Sequence, residues 1–387
     1  MTPEQKLLID ALSVAVCSQP RQLNLQVDWN QLIRLAASHS LLPLLCDGLQ
    51  KVPDVWSDVP ETVRNKLDSV YMRAFAVDAQ QEHVRKTLDD ALSQARVPHI
   101  FLKGSVLKND YPIPALRTMS DIDVLIHIED IKEIDQIAVG LNGIANKGDG
   151  NHYNYCFPGG ILVEFHPNLL HHSTPAASQI NPGWQYAVVD DTGYSCALTE
   201  VGIYLNTICH LADHFLTGGV GVRFVLDVWV SRHLRKTQPD WNFVNEELRK
   251  FSLLEFTRNI EQLAECWFSG KESTPVLEEL GEYIFSSGSY GNLERATLSA
   301  VSLSTGGSKV KAFWNKVFYP REELEDRYPW CKGKAWLLPA AWCARAFRAV
   351  TKHRKEIAKW SSSTAKINKQ ELEAYQNKLR RFGIQIN

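Results

Sequence analysis

The chain carries no CxxC pair, no long apolar run and no excess of basic residues. Each absence excludes something. Eight scattered cysteines argue against a structural zinc site, which needs clustered soft ligands. Most sit in apolar runs, as small buried hydrophobes do, which fits a reducing, cytoplasmic setting. A membrane-spanning helix needs roughly 20 consecutive apolar residues, and no stretch comes near that, so no membrane span is expected. The first residues lack a basic stretch followed by an apolar one, so no signal peptide is expected. Lys and Arg number 42 against 44 Asp and Glu, a formal charge of -2, and nothing global advertises nucleic acid. No internal repeat and no long low-complexity tract is visible.

What is present fits a folded protein of 387 residues with two or three cores. Tryptophan is abundant at 11 copies. Eight of them, from Trp229 to Trp360, lie in the second half and predict large aromatic packing or a binding groove there. Residues 1–94 read as helical. Thr2-Pro3-Glu4-Gln5 and Asp28-Trp29 are helix starts, and Pro60-Glu61 opens a long helix. Residues 95–198 change pattern. His99–Leu102 and Ile122–Ile128 predict strands, with a short helix over Ser105–Asn109 between them. A helix over Glu129–Val139 and a turn-rich connector over Gly140–Gly150 follow. His152–Phe157 and Ile161–His166 alternate as a hairpin around Pro158-Gly159-Gly160. Residues 199–305 are helical again, starting at a Thr199 cap. Residues 306–387 form a further helical segment with a basic tail from Arg345 to Arg381. The fold class expected is α+β, predominantly helical, with one small mixed sheet.

The chemistry concentrates at Lys103-Gly104-Ser105 and at Ser120-Asp121-Ile122-Asp123. Alternation along a strand sends Asp121 and Asp123 to one face. Two carboxylates that close repel unless a cation lies between them. Oxygen ligands of this kind suit Mg²⁺ or Mn²⁺. Glu164 and His166 share a face of their own strand. Lys103 either contacts a phosphate or is a solvated strand-end lysine. Arg117 either binds phosphate bidentately or pairs with Asp121 or Asp123. Ser120 either binds a phosphate oxygen or caps its loop. His210 and His214 are i and i+4 on one helix, a spacing that can ligate zinc, but no third soft ligand is evident and they read as packing residues. Asp213 reads as solvated, and Arg223 with Asp227 as a helix ion pair. The basic tail is either a solvated helix capping the domain or an amphipathic surface for peripheral contact with anionic lipid or nucleic acid.

The run Lys103-Gly104-Ser105…Tyr111-Pro112…Arg117…Ser120-Asp121-Ile122-Asp123 resembles the bacterial uncharacterised nucleotidyltransferase family, within the DNA polymerase β-like superfamily. Val163-Glu164-Phe165-His166, His210–His214, Arg223…Asp227 and Tyr319-Pro320…Arg327-Tyr328-Pro329 extend the resemblance. It implies a polymerase β-like sheet flanked by helical regions and a metal-dependent transfer of NMP from an NTP, such as ATP, to an acceptor hydroxyl. It implies Asp121, Asp123 and Glu164 as catalytic metal ligands for Mg²⁺ or Mn²⁺. It implies nucleotide binding at Lys103, Gly104, Ser105, Arg117 and Ser120, and an acceptor pocket near His166, His210 and His214. The acceptor is a small molecule, a sugar, a protein or an RNA. Two departures from the superfamily stand out: the gap from Val106 to Ser120 is longer than usual, and the third acid is Glu. The alternative function is a catalytically degenerate fold that binds nucleotide or serves as an interaction module.

Overall fold

A computed structural model describes residues 1–18, 20–146, 153–168, 183–190, 193–288, 293–303, 321, 324–325, 328–352, 362, 364 and 367–385. The N-terminal part forms five helices: α1 (Pro3–Val16), α2 (Trp29–Ser38), α3 (Leu42–Gln50), α4 (Pro53–Asp58) and α5 (Glu61–Gln94). Thr2 and Gln5 make the reciprocal cap that starts α1, and the Asp28 side chain caps α2. The 34 residues of α5 contain no Gly or Pro, and the helix runs unbroken for about 50 Å.

The sheet follows. Strand β1 (His99–Phe101) leads into the short helix α6 (Gly104–Leu107). Next come β2 (Asp121–Ile126), α7 (Ile131–Gly140), β3 (Ile144–Asn146), β4 (Tyr153–Phe157), β5 (Ile161–His166), β6 (Ala187–Val189) and β7 (Ser195–Leu198). The strand order is β3-β4-β5-β2-β1-β7-β6. β2 runs parallel to β5 and antiparallel to β1, so the sheet is mixed. Three strands lie outside the sequence expectation. β3 falls in the stretch read as a connector, and β6 and β7 span only three and four residues. Runs that short carry too little alternation to register as strands. The hairpin around Gly159 and Gly160 forms as expected, with both glycines at positive φ.

Helices α8 (Glu200–Thr217), α9 (Val222–His233), α10 (Trp241–Lys250), α11 (Leu254–Ala264), α12 (Pro275–Phe285) and α13 (Leu293–Leu303) come next. α14 (Leu338–Lys352) and α15 (Lys369–Arg381) lie in the C-terminal part. The chain is α+β and predominantly helical.

Two apolar clusters sandwich the sheet. Leu88 and Leu92 of α5 pack with Ile122, Val124, Ile126, Val163 and Phe165 on one face. The second cluster takes Ile100 and Leu125 from the opposite face and unites helices from both ends of the chain, including Leu12, Leu45, Ile208, Phe215, Phe268 and Leu379. Among the tryptophans expected to pack, Trp229 and Trp267 are buried in that cluster, whereas Trp330 and Trp336 are exposed. Trp314, Trp360, the Tyr319-Pro320 and Arg327 positions, and the tail cations Arg354, Lys355, Lys359 and Lys366 lie outside the described residues.

Candidate active site

Alternation fixes which side chains meet. Ile122, Val124, Val163 and Phe165 enter one core, so Asp121, Asp123, Glu164 and His166 emerge from the other face of β2 and β5. The parallel register sets Asp123 beside Glu164 and Leu125 beside His166. His166 Nε2 lies 2.7 Å from Asp123 Oδ1 and 3.7 Å from Glu164 Oε2. Ligand atoms of Asp123, Glu164 and His166 all fall within 4.8 Å of one another. Among the described residues this is the one group of three with metal-ligating spacing, and Asp121 is not part of it.

Lys103 enters from the β1 end. Its Nζ donates to Asp123 Oδ1 at 2.7 Å, the oxygen that also meets His166. Lys103 is thus neither solvated nor turned outward. Its backbone is left-handed, with φ 50°, because the chain must leave β1 and enter α6 at once. Gly104 follows for a packing reason: a Cβ there would stand 2.7 Å from Arg117 Nη1 and 2.9 Å from Met119 Sδ. Ser105 is buried, with its hydroxyl turned to Met119.

Charge is unevenly balanced here. Burial opposes ionisation of Asp123, but Lys103 and then His166 outweigh it and hold the carboxyl well below the usual range. Burial, then Asp121 and Asp123, push Glu164 up to about 7. Burial and Asp123 also raise Asp121. Burial works against the Lys103 ammonium, yet Asp123 outweighs it and its pKa rises. One ammonium faces three carboxyls, which leaves room for further positive charge.

The segment between Gly104 and Asp121 is tied down along its length. Lys108 is buried against Asp78 at 2.7 Å and Glu82 at 3.4 Å on α5. Arg117 Nε and Nη2 form a two-pronged pair with Asp227 of α9, at 3.0 and 2.8 Å, and Tyr111 donates to the same carboxylate at 2.8 Å. Arg223 Nη1 donates to the Thr118 carbonyl, and Gln81 Nε2 to that of Met119. Two expectations are corrected here. Arg117 pairs with Asp227 rather than with Asp121 or Asp123. Asp227 pairs with Arg117 across the fold rather than with Arg223 along its own helix. Spacing of i and i+4 shows which residues can meet on one helix, and a better-placed partner from another element has taken precedence. Asp213, expected in solvent, is buried on the α8 face.

Lys103, Gly104, Arg117, Ser120, Asp121, Asp123 and His210 line one cleft of about 60 Å³ with Asn206, Thr207, Arg223, Phe224 and Asp227. That volume holds a few waters or a partly hydrated ion, not a nucleotide. Ser105, Glu164, His166 and His214 are not on its lining. The His210 and His214 rings meet edge to face at 4.3 Å. Desolvation, then Lys103 and His214, hold the His210 pKa far below its usual value. Asn206 and Thr207 carry a sequence signal: two adjacent polar residues within the apolar run Ile203–Cys209, with Asn206 one turn ahead of His210. Asp227 offered no local signal that its partner lies 110 residues away.

The family described as uncharacterised nucleotidyltransferase matches residues 26–269, more than half of the chain. No curated protein and no solved structure matches it. The matched span contains β1 to β7 and every residue of the cleft.

Proposed function

The chain belongs to the uncharacterised nucleotidyltransferase family, and we propose that it transfers a nucleoside monophosphate from an NTP to an acceptor hydroxyl in a metal-dependent reaction. The observation that carries this reading is the register of β2 against β5, which sets Asp123 beside Glu164, with Asp121 on the same face of β2. The donor set of hard oxygens fits Mg²⁺ or Mn²⁺, with Asp121, Asp123 and Glu164 as ligands. When bound, such a cation neutralises the phosphates and the developing pyrophosphate.

The chain's own residues do the rest. Lys103 exchanges Asp123 for a phosphate oxygen, and the remaining guanidinium nitrogen of Arg117, Nη1, faces the cleft at Gly104. Ser120 and the Gly104-Ser105 backbone complete the phosphate side. The acceptor oxygen bonds to the α-phosphorus as the bond to the β-phosphate oxygen breaks and pyrophosphate leaves. Glu164, on the strand beside Asp123, is the carboxylate placed to help take the acceptor proton. His166, His210 and His214 border the acceptor side.

The test uses each α-labelled NTP with Mg²⁺ or Mn²⁺ and cell extract. Wild type labels an acceptor, and the Asp121→Ala/Asp123→Ala variant does not. Equal labelling by both would remove the acidic pair from the reaction. NTP binding without any labelling, in wild type, would instead favour a nucleotide-binding module.

A further inference from the structure

We propose that the principal divalent cation of this site is held by a nitrogen as well as by oxygens, with Asp123, Glu164 and His166 as its protein ligands and a consequent preference for transition ions over Mg²⁺. The inference rests on the nucleotidyltransferase reading and departs from an all-carboxylate site. Strand alternation carries Glu164 and His166 to the same face, and the register sets Asp123 beside Glu164, where the His166 ring reaches its Oδ1. The spacing suits one ion. Ligands about 2.1 Å from a common octahedral centre stand about 3 Å apart when adjacent and about 4.2 Å apart when opposite. The observed contacts of 2.7 Å, a hydrogen bond that the ion would replace, and 3.7 Å each lie within about 0.5 Å of one of those values.

Burial supports the same assignment. Asp123 and His166 are only 5% and 3% exposed. Both have been stripped of water by folding, so an arriving cation displaces protein partners, the Lys103 ammonium and the His166–Asp123 hydrogen bond, rather than a hydration shell. Asp121 sits two residues up β2 and outside the group, which suits it to phosphate-side contact or a second ion. Lys103 is the cation present at Asp123 Oδ1 and must release that oxygen when the metal enters. Imidazole is a softer donor than carboxylate, and its presence in a ligand set moves affinity along the series Mg²⁺, Mn²⁺, Co²⁺.

Mn²⁺ titrated into the full chain without nucleotide tests this, read by pulsed electron paramagnetic resonance for directly bound ¹⁴N. Wild type is expected to give a coordinated-nitrogen signal. His166→Gln should lose it and weaken Mn²⁺ at least about tenfold. His210→Gln, which removes a neighbouring imidazole that lines the cleft, should keep it. Calorimetry should rank Co²⁺ and Mn²⁺ at least tenfold tighter than Mg²⁺ in wild type, with the gap closing in His166→Gln. A wild-type Mn²⁺ complex without the nitrogen signal, a signal that persists in His166→Gln, or Mg²⁺ binding as tight as Mn²⁺ overturns the proposal. Nucleotide transfer by an all-oxygen site would survive each of those results. Loss of labelling with intact nitrogen ligation would instead sink the transfer reading alone.

Discussion

The interior holds two aspartate–cation pairs within one cleft, and they differ in how their charge is closed. Asp227 receives three donors, two from Arg117 and one from Tyr111, and each oxygen has a charged partner. Asp123 places Lys103 and His166 on a single oxygen and has Asp121 and Glu164 for neighbours. The first pair is complete and joins the loop before β2 to α9. The second is a cluster of three acids around one ammonium. A closed pair holds geometry, whereas an open one has capacity for a ligand. The comparison can be broken by deleting one acid from each.

Asp123→Ala should give the larger effect on chemistry. Loss of a metal ligand removes several kcal/mol of transition-state stabilisation, so transfer should fall by about 10³-fold or more. Stability should change little, because Asp121 and Glu164 remain within reach of the Lys103 charge. Rates of NTP-dependent labelling and urea midpoints, measured on one preparation, check both halves. A collapse in stability with this substitution would make the two pairs equivalent and end the distinction.

Asp227→Ala should give the larger effect on folding, about 3–5 kcal/mol, because Arg117 is left buried without its partner. Urea denaturation measures it. Arg117→Met/Asp227→Leu should recover most of the loss, since replacing both members of a buried pair by apolar groups leaves no orphaned charge. If the double variant is as unstable as the single, the pair contributes more than charge balance.

These two pairs also mark how far the sequence could be read. The Asp121–Asp123 alternation, the Gly104 turn and the Glu164–His166 strand were legible, because period-two patterning decides faces without knowledge of the rest of the fold. The long α5 was legible from its uninterrupted stretch without Gly or Pro. The Arg117–Asp227 bridge was not, because 110 residues separate its partners and the apolar run around Asp227, though it marks a buried acid, does not say what pairs with it. The Lys103–Asp123 contact fell between: both residues stood out, but their meeting depends on the antiparallel register of β1 with β2. Strands β3, β6 and β7 are too short to carry a period, and pairing alone makes them strands.

A buried group off the cleft lining gives a control on charge. His39 is fully buried, accepts the Val222 N–H at Nδ1, and has its pKa lowered to about 4, chiefly by desolvation. The unfolded chain takes up its proton near pH 6.5 while the fold resists until about 4. Stability from this residue is therefore present above 6.5 and is lost as pH falls toward 4, by about 3 kcal/mol in all. Urea midpoints of wild type and His39→Gln across pH 4–7 check it; parallel slopes would remove His39 from the acid response.

The smallest effect expected has the opposite sign and returns to the open cluster. With chelator present, Glu164 ionises near 7 in the fold and near 4.5 when unfolded. The folded state holds the extra proton between those values, so stability from this group is present below 4.5 and declines as pH rises through about 7. Glu164→Gln removes both the burial penalty and the repulsion from Asp121 and Asp123. The variant should be more stable than wild type at pH 8 by about 1 kcal/mol, a figure discounted because the side chain is a quarter exposed. Mn²⁺ should then reverse the ranking, since the ion stabilises wild type by binding the folded state and finds one ligand fewer in the variant. No closed pair can give that reversal: removing Asp227 should destabilise with or without metal. If Glu164→Gln also destabilises in chelator, the carboxylate is already satisfied by the fold, and the surplus charge that separates the two pairs is absent.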